Sequence, residues 1–239
     1  AEEPAGEETE TEAVIMREAE ELCTENLLQE YHALLVTARQ TEDVYVFLET
    51  HIGGCSVKDA DQLLNGLIGY LTDADAVDYN RVAKNKNYFS EEMQEFIEIM
   101  RREQNEPAIG DCEIEIPLTQ LLLRAEELEE HARQYMGGVS YPYVYDKYCE
   151  LLSAAVTGFY DGESDWTNCY LDSDEAHIEE AAVQAYDDFV RAYPNGNTAG
   201  VLLEYLDLLK ENDRRFNQKL KRFYGRIDSV IKENFRIDA

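Results

Sequence analysis

Basic residues are scarce in this chain of 239 residues. Its 21 Lys and Arg stand against 51 Asp and Glu, a formal net charge of −30. A surface of that sign repels the phosphate backbone of nucleic acids and the headgroups of anionic membranes. Direct nucleic-acid binding is therefore not expected. Basic proteins, cationic peptides and divalent cations remain as partners, or the charge serves solubility alone.

Cysteine is sparse, and its spacing excludes the common cysteine-based sites. No CxxC pair and no Cys/His cluster occurs, so a structural zinc site is not expected. Five cysteines cannot all pair within one chain, which argues against a complete disulfide framework but leaves room for one or two bridges. The five cysteines are Cys23, Cys55, Cys112, Cys149 and Cys169.

Long apolar runs and catalytic motifs are also missing. No run approaches the roughly 20 apolar residues of a membrane-spanning helix. The sequence has no P-loop, dinucleotide fingerprint, G-x-S-x-G or H-E-x-x-H motif, and the spacing of its four histidines reveals no partner arrangement. An acid/base pair assembled in space leaves no linear trace, so an enzyme stays open. The sequence therefore favours the hypothesis of a non-enzymatic protein without a cofactor.

Residues 1–12, AEEPAGEETETE, hold six glutamates, a proline and a glycine but no basic residue. This composition predicts a disordered acidic tether. It resembles the spacer that follows the acylated cysteine of Gram-positive bacterial surface lipoproteins. The resemblance implies an extracellular or cell-surface protein, with a lipid anchor upstream of the tether. A cytosolic protein with an acidic N-terminal tail is the alternative.

Apolar residues recur at spacings of three and four from about Ala13 onward, which predicts an all-α fold of about nine helices. Ser56, Ser90 and Asp172 are predicted to start helices, the last in a capping box with Glu175. The long non-helical break, 104–117, contains an alternating Glu-Ile-Glu-Ile segment that favours a short strand. We therefore expect an N-terminal helical part at 13–105 and a C-terminal part at 117–239, packed as one unit.

Three predicted helices run into glycine turns preceded by an aromatic ring, which is typical of helical hairpins. Gly54, Gly138 and Gly196 are expected at or just beyond helix C-termini, where φ is often positive. The rings, His51, Tyr135 and Tyr193, are expected to pack on the hairpins. The Tyr193-Pro194-Asn195 turn resembles those of tetratricopeptide-like repeats in bacterial envelope proteins. We therefore expect degenerate hairpins in an irregular bundle or short solenoid.

An acidic loop between two predicted helices has oxygen ligands at alternate positions. Asp161, Glu163, Asp165, Thr167 and Asp172 match positions 1, 3, 5, 7 and 12 of a calcium loop. Trp166 occupies the sixth position, where the sharp turn of such a loop requires glycine. This departure favours a solvated acidic loop, so Asp161, Glu163 and Asp165 are only a weak candidate for a cation site.

Aromatic residues are concentrated between positions 141 and 170. Tyr141, Tyr145 and Tyr148 are predicted to lie on one face of a helix, with Tyr143 off it. Such rings with polar tips can line a groove for a peptide or sugar, although a stripe at helical spacing is more often core. The sequence thus predicts an interaction protein for a protein or peptide, with cationic partners among the candidates. The second hypothesis is an acidic cytosolic scaffold or adaptor. The third is a cation-binding module or an enzyme of unrecognised class. The candidate binding residues are Tyr141, Tyr143, Tyr145, Tyr148, Trp166 and Tyr170.

Overall fold

The structure is a computed structural model and describes residues 26–110, 113–160, 166–167, 170–173 and 176–235. The described chain is dominated by eleven α-helices, which confirms the all-α prediction. They are α1 (26–37), α2 (Thr41–His51), α3 (Val57–Leu71), α4 (Tyr79–Val82), α5 (Glu91–Asn105), α6 (Leu118–Gln134), α7 (Tyr141–Thr157), α8 (Glu180–Ala192), α9 (Asn197–Glu211), α10 (Gln218–Tyr224) and α11 (Ile227–Asn234).

Short 3-10 helices and two small hairpins fill several connections. The 3-10 helices are Ile52–Gly54, Ala74–Ala76 and Ala83–Tyr88. Strands β1 (Ile109–Gly110) and β2 (Glu113–Ile114) pair antiparallel. Strand β2 lies in the alternating segment where a short strand is predicted, whereas β1 and the pairing were not predicted. Strands β3 (Phe159–Tyr160) and β4 (Trp166–Thr167) form a second antiparallel pair, which the sequence did not predict.

The chain divides into two compact units between Arg101 and Arg102, within α5. In the first unit the Tyr31 hydroxyl donates to the Leu63 carbonyl at 2.7 Å, which joins α1 to α3. Gly66 permits this approach, because a Cβ there would lie 2.6 Å from the Tyr31 ring. The carboxylate of Asp61 accepts the backbone N–H of Ser90 at 3.0 Å and so caps α5 from α3.

In the second unit α6 packs mainly against α7, α8 packs against α9, and α11 contacts both α7 and α9. Buried tyrosines add hydrogen bonds to the apolar core. The Tyr186 hydroxyl donates to the Ala155 carbonyl at 2.7 Å. The hydroxyls of Tyr205 and Tyr224 lie 2.6 Å apart and link α9 to α10. These bonds satisfy polar tips that would otherwise be costly to bury.

Two helix boundaries differ from prediction. The helix expected to start at Asp172 begins at Glu180, because Leu171 pairs with Ile178 and His177 with Arg215 in isolated bridges. Asp172 instead accepts the His177 N–H at 3.2 Å. The apolar spacing from Phe216 to Ile231 predicts a single last helix that begins near Asp213. This helix is interrupted after Tyr224, which gives α10 and α11 and helps raise the count above nine.

The glycine turns partly follow prediction. Gly54 ends the 3-10 helix after α2, and Gly138 closes a turn on Tyr135 beyond α6. Gly196 is instead the N-cap of α9, with φ −77°. None of these three glycines has a positive φ. The positive φ belongs instead to Gly137, the residue before Gly138, at +79°.

The rings before these turns pack on their own helices. Each contacts the ring four residues earlier, with centroids 4.4 Å apart for Phe47 and His51. The distances are 4.7 Å for His131 and Tyr135 and 4.9 Å for Phe189 and Tyr193. These are i, i+4 contacts at the end of a helix, whereas the rings were predicted to pack on the hairpins across the turns.

Candidate functional site

Helix α7 carries the predicted tyrosines and aligns three of them. Pro142 lies in its first turn, where the missing N–H is tolerated. The spacing of Tyr141, Tyr145 and Tyr148 puts them on one face. Successive centroids lie 5.8 and 6.2 Å apart. Phe235, just after α11, packs 4.8 Å from Tyr145 and 5.5 Å from Tyr148. These four rings are called the tyrosine face.

The tyrosine face runs from the surface into the core. Tyr148 is fully buried, whereas Tyr141, Tyr145 and Phe235 are each partly exposed. Tyr148 thus serves mainly as support, and the other three rings form the accessible part. Packed rings that keep some exposure combine apolar contact area with polar tips, which is typical of binding surfaces.

The other predicted aromatic residues do not join this face. Tyr143 is partly exposed, but its position two residues from Tyr141 turns it to another side of α7. Tyr170 is half-buried with φ +53°, and burial raises the pKa of its hydroxyl. The backbone of Trp166 pairs in β4, and its side chain lies outside the described part of the structure.

A thiol and two carboxylates accompany the tyrosine face. Cys149 shares a hydrogen bond with the Tyr145 hydroxyl, and burial raises the pKa of its thiol to about 11. The negative charges of Asp146 and Asp228 act in the same direction. The thiol is therefore protonated at neutral pH and a poor nucleophile. The surroundings of the face are acidic.

The inner end of the face meets a polar junction between α6 and α9. The Thr198 hydroxyl donates to the Tyr148 hydroxyl at 3.3 Å. The carboxylate of Glu129, almost fully buried, accepts the backbone N–H of Asn197 at 2.6 Å and that of Thr198 at 2.7 Å. Glu129 therefore caps α9, and the positive end of the helix dipole stabilises its charge.

Glu126 lies one turn before Glu129 on α6 and faces the same point. A Cβ on Gly196 would lie 3.0 Å from Glu126 Oε2 and 3.4 Å from Glu129 Oε1, so both carboxylates converge on this glycine. Glu126 Oε2 and Asn197 Nδ2 are buried without a hydrogen-bond partner. The α6–α9 junction comprises Glu126, Glu129, Gly196, Asn197 and Thr198.

The surroundings of Glu126 favour its protonated form. Burial, followed by the charges of Glu129 and Glu130, raises the pKa of Glu126 to about 7, and Arg133 partly opposes the rise. A carboxyl group that exchanges a proton near neutral pH has the property required of a general acid or base.

Sequence reasoning missed this junction, although a signal was present. Glu129 comes four residues after Ala125 and three before Ala132, so it falls on the apolar face of α6. A charged residue on a buried face needs a partner. The identity of that partner, the first turn of α9, could not be found from spacing because it lies 68 residues further along the chain.

The predicted cation site is not part of the described structure. Asp161, Glu163 and Asp165 lie outside the described residues. Within the described ranges, no three His, Cys, Asp or Glu side chains are grouped so as to hold a metal ion. None of the described helices combines the length and apolar character needed to cross a bilayer.

Comparison with protein-family models, curated proteins and solved structures finds no match for this chain. The tyrosine face and the α6–α9 junction are therefore the two candidate sites of this chain.

Proposed function

We propose that this chain is a non-enzymatic interaction protein that binds a protein or peptide through the tyrosine face. The observation that carries the proposal is the row of three partly exposed rings formed by Tyr141, Tyr145 and Phe235. Aromatic residues contribute much of the binding energy at protein interfaces where they are accessible. Packing among the rings fixes their positions before binding, which lowers the entropic cost of association.

The proposed partner carries positive charge. Asp146 on α7 and Asp228 on α11 act on the Cys149 thiol beneath the face, and the chain as a whole has a net charge of −30. Lys or Arg side chains are attracted to carboxylates and to the faces of aromatic rings. A basic peptide would therefore bind at an electrostatically increased rate, which falls as salt is added.

The proposed setting is the outside of a bacterial cell, with the chain held at the surface by a lipid anchor. The acidic segment 1–12 supports it by its resemblance to a lipoprotein spacer. The packing of α6 on α7 and of α8 on α9 is compatible with degenerate helical hairpins in an irregular bundle. In this role the hairpins provide a rigid support for the tyrosine face.

A cytosolic scaffold is the second candidate, and the cysteines favour it. Cys55 and Cys149 are free thiols in the described structure, as expected for a reducing compartment. Protease treatment of intact cells separates the two settings. A surface protein is degraded while a cytosolic marker survives, whereas a cytosolic scaffold is protected until the cells are lysed.

Binding through the tyrosine face can be tested with the full chain and synthetic peptides. The variant Tyr141→Ser/Tyr145→Ser removes two accessible rings. We expect the wild-type chain to bind a Lys/Arg-rich peptide more tightly than a Glu-rich peptide of equal length. The double variant should bind the basic peptide at least about tenfold more weakly, the effect of losing a single strong aromatic contact.

Tyr88→Ser/Tyr193→Ser is the matched control, because both tyrosines are exposed, at 46% and 37%, and lie outside the face. It should bind like the wild type. Equal weakening by both double variants would refute the assignment to the face. The absence of measurable binding to either peptide would refute a cationic peptide partner.

A further inference from the structure

We propose that the α6–α9 junction is a pH-sensitive contact, in which Glu126 keeps its proton in the folded chain and its ionisation weakens the start of α9. This inference goes beyond the proposed binding function. It concerns the stability of the second compact unit and is independent of any partner.

The two carboxylates have unequal hydrogen bonding. Glu129 accepts two backbone N–H groups from the first turn of α9, at 2.6 and 2.7 Å. These charge-assisted bonds stabilise its ionised form. Glu126 Oε2 is buried and accepts no hydrogen bond. An ionised Glu126 would therefore be a poorly solvated charge beside a second negative charge, and both changes are unfavourable.

The other charges near the junction do not remove this conflict. The charges that act on Glu126 come from Glu129, Glu130 and Arg133, all on α6, and none comes from the described part of α8. The Arg133 guanidinium is half-exposed and lies 3.6 Å from the carboxylate of Glu129. The hydroxyl of Tyr148 faces the pair from α7, and the side-chain amide of Asn197 belongs to α9.

The sign of the pH dependence follows from the direction of the shift. The pKa of Glu126 rises from 4.5 to about 7 on folding. Between these values the folded chain holds a proton that the unfolded chain has released, so the contribution of Glu126 to stability falls as pH rises. Glu126 contributes its full stabilisation below pH 4.5, and this stabilisation is lost above about pH 7. Above neutrality the first turn of α9 should open more readily.

The test compares wild type, Glu126→Gln and Glu130→Gln in the full chain. Glu126→Gln keeps the shape of the protonated carboxyl group and cannot ionise. Glu130→Gln removes the same charge from an exposed position on the same helix. Melting temperatures and backbone amide exchange are measured from below pH 6 to above pH 8.

We expect the wild-type melting temperature to fall across neutrality more steeply than that of Glu126→Gln. Above neutrality Glu126→Gln should melt higher than wild type. Glu130→Gln removes one of the charges that raise the pKa of Glu126, so its slope should be shallower than that of wild type but steeper than that of Glu126→Gln. Protection of the Thr198 amide should fall in the wild type by at least about tenfold, the equivalent of one pKa unit. It should stay nearly constant in Glu126→Gln.

Parallel pH profiles for wild type and Glu126→Gln would overturn the proposal. A direct titration keeps the test decisive if a variant fails to fold. The Glu126 side-chain carboxyl group can be followed by carbon NMR in the wild-type protein. A midpoint near neutrality supports the proposal, and a midpoint at the ordinary glutamate value refutes it.

Discussion

The two glutamates at the α6–α9 junction are one helical turn apart and differ in the hydrogen bonds that they accept. Glu129 is buried and accepts two backbone N–H groups, which makes a buried negative charge tolerable. Glu126, one turn earlier, has a buried oxygen without a donor. Burial and the neighbouring negative charges raise the pKa of Glu126, and no donor to this oxygen offsets them.

Gly137→Ala should destabilise the protein through backbone conformation alone. Gly137 has φ +79°, and a Cβ there would meet no atom within 4 Å. A left-handed conformation costs a non-glycine residue about 1–2 kcal/mol. Urea unfolding at constant m-value measures the loss of free energy.

Gly54→Ala is the control for that measurement, because a Cβ at Gly54 also meets no atom within 4 Å and its φ is not positive. It should leave stability unchanged or raise it slightly, by restricting the unfolded chain. Equal losses for the two variants would contradict the backbone explanation.

For single residues, the sequence predicted where the aromatic cluster lies but not how deeply each ring is buried. The spacing of Tyr141, Tyr145 and Tyr148 correctly indicated a shared helix face. It could not show that Tyr148 is buried, because burial depends on α9 and on Phe235, which are distant in the chain. Whether these rings bind a partner remains a prediction.

Helix starts in this protein are fixed in two ways. Helix α3 uses a local cap, in which the Ser56 hydroxyl accepts the Asp59 N–H at 3.2 Å. Helix α9 begins at a glycine without a side-chain cap and takes its acceptor from Glu129 on α6. A local cap can be predicted from adjacent residues, but a cap from another helix requires knowledge of tertiary packing.

Glu129→Ala should destabilise the protein by about 2 kcal/mol, because two N–H groups of α9 lose a charged acceptor. The measurement is equilibrium unfolding at about pH 6, where Glu126 keeps its proton and contributes little to the difference. Amide exchange should speed up first at Asn197 and Thr198.

Glu130→Ala is the matched control on the same helix, since Glu130 is exposed. Its effect should stay within about 0.5 kcal/mol. A Glu129→Ala effect as small as that of the control would show that water replaces the cap without loss.

The boundaries of α8, α10 and α11 show where helical periodicity fails as a guide. Asp172 and Glu175 have the spacing of a capping box, yet the backbone at Leu171 and His177 pairs with other segments instead. The competing bridge of His177 involves Arg215, which no local pattern could identify. The break after Tyr224 likewise interrupts a continuous apolar repeat.

The net charge of −30 affects the whole molecule, because like charges repel more strongly in the folded chain than in the expanded one. Local ion pairs offset this only in part. Arg81 binds Glu42 and Glu49 at 2.7 and 2.6 Å, and all three groups are accessible to solvent. Excess carboxylates should therefore determine how the protein responds to salt.

Raising NaCl from about 0.02 M to about 0.3 M should raise the melting temperature, because the Debye length falls below the spacing of many surface charges. Differential scanning calorimetry at fixed pH measures the change. An uncharged osmolyte at matched osmolality serves as the control for solvent effects. A melting temperature that falls with salt would mean that attractive ion pairs outweigh the excess negative charge.

The cap supplied by Glu129 also constrains the order of folding. The carboxylate and the N–H groups it accepts are separated by 68 and 69 positions, and α7 and α8 lie between them. Closing such a long loop is entropically unfavourable, so contacts of this kind tend to form after local helical structure. Helix α9 therefore gains its defined first residue late, once α6 is in place. The earliest compact states should contain an α9 whose N-terminal turn is still frayed.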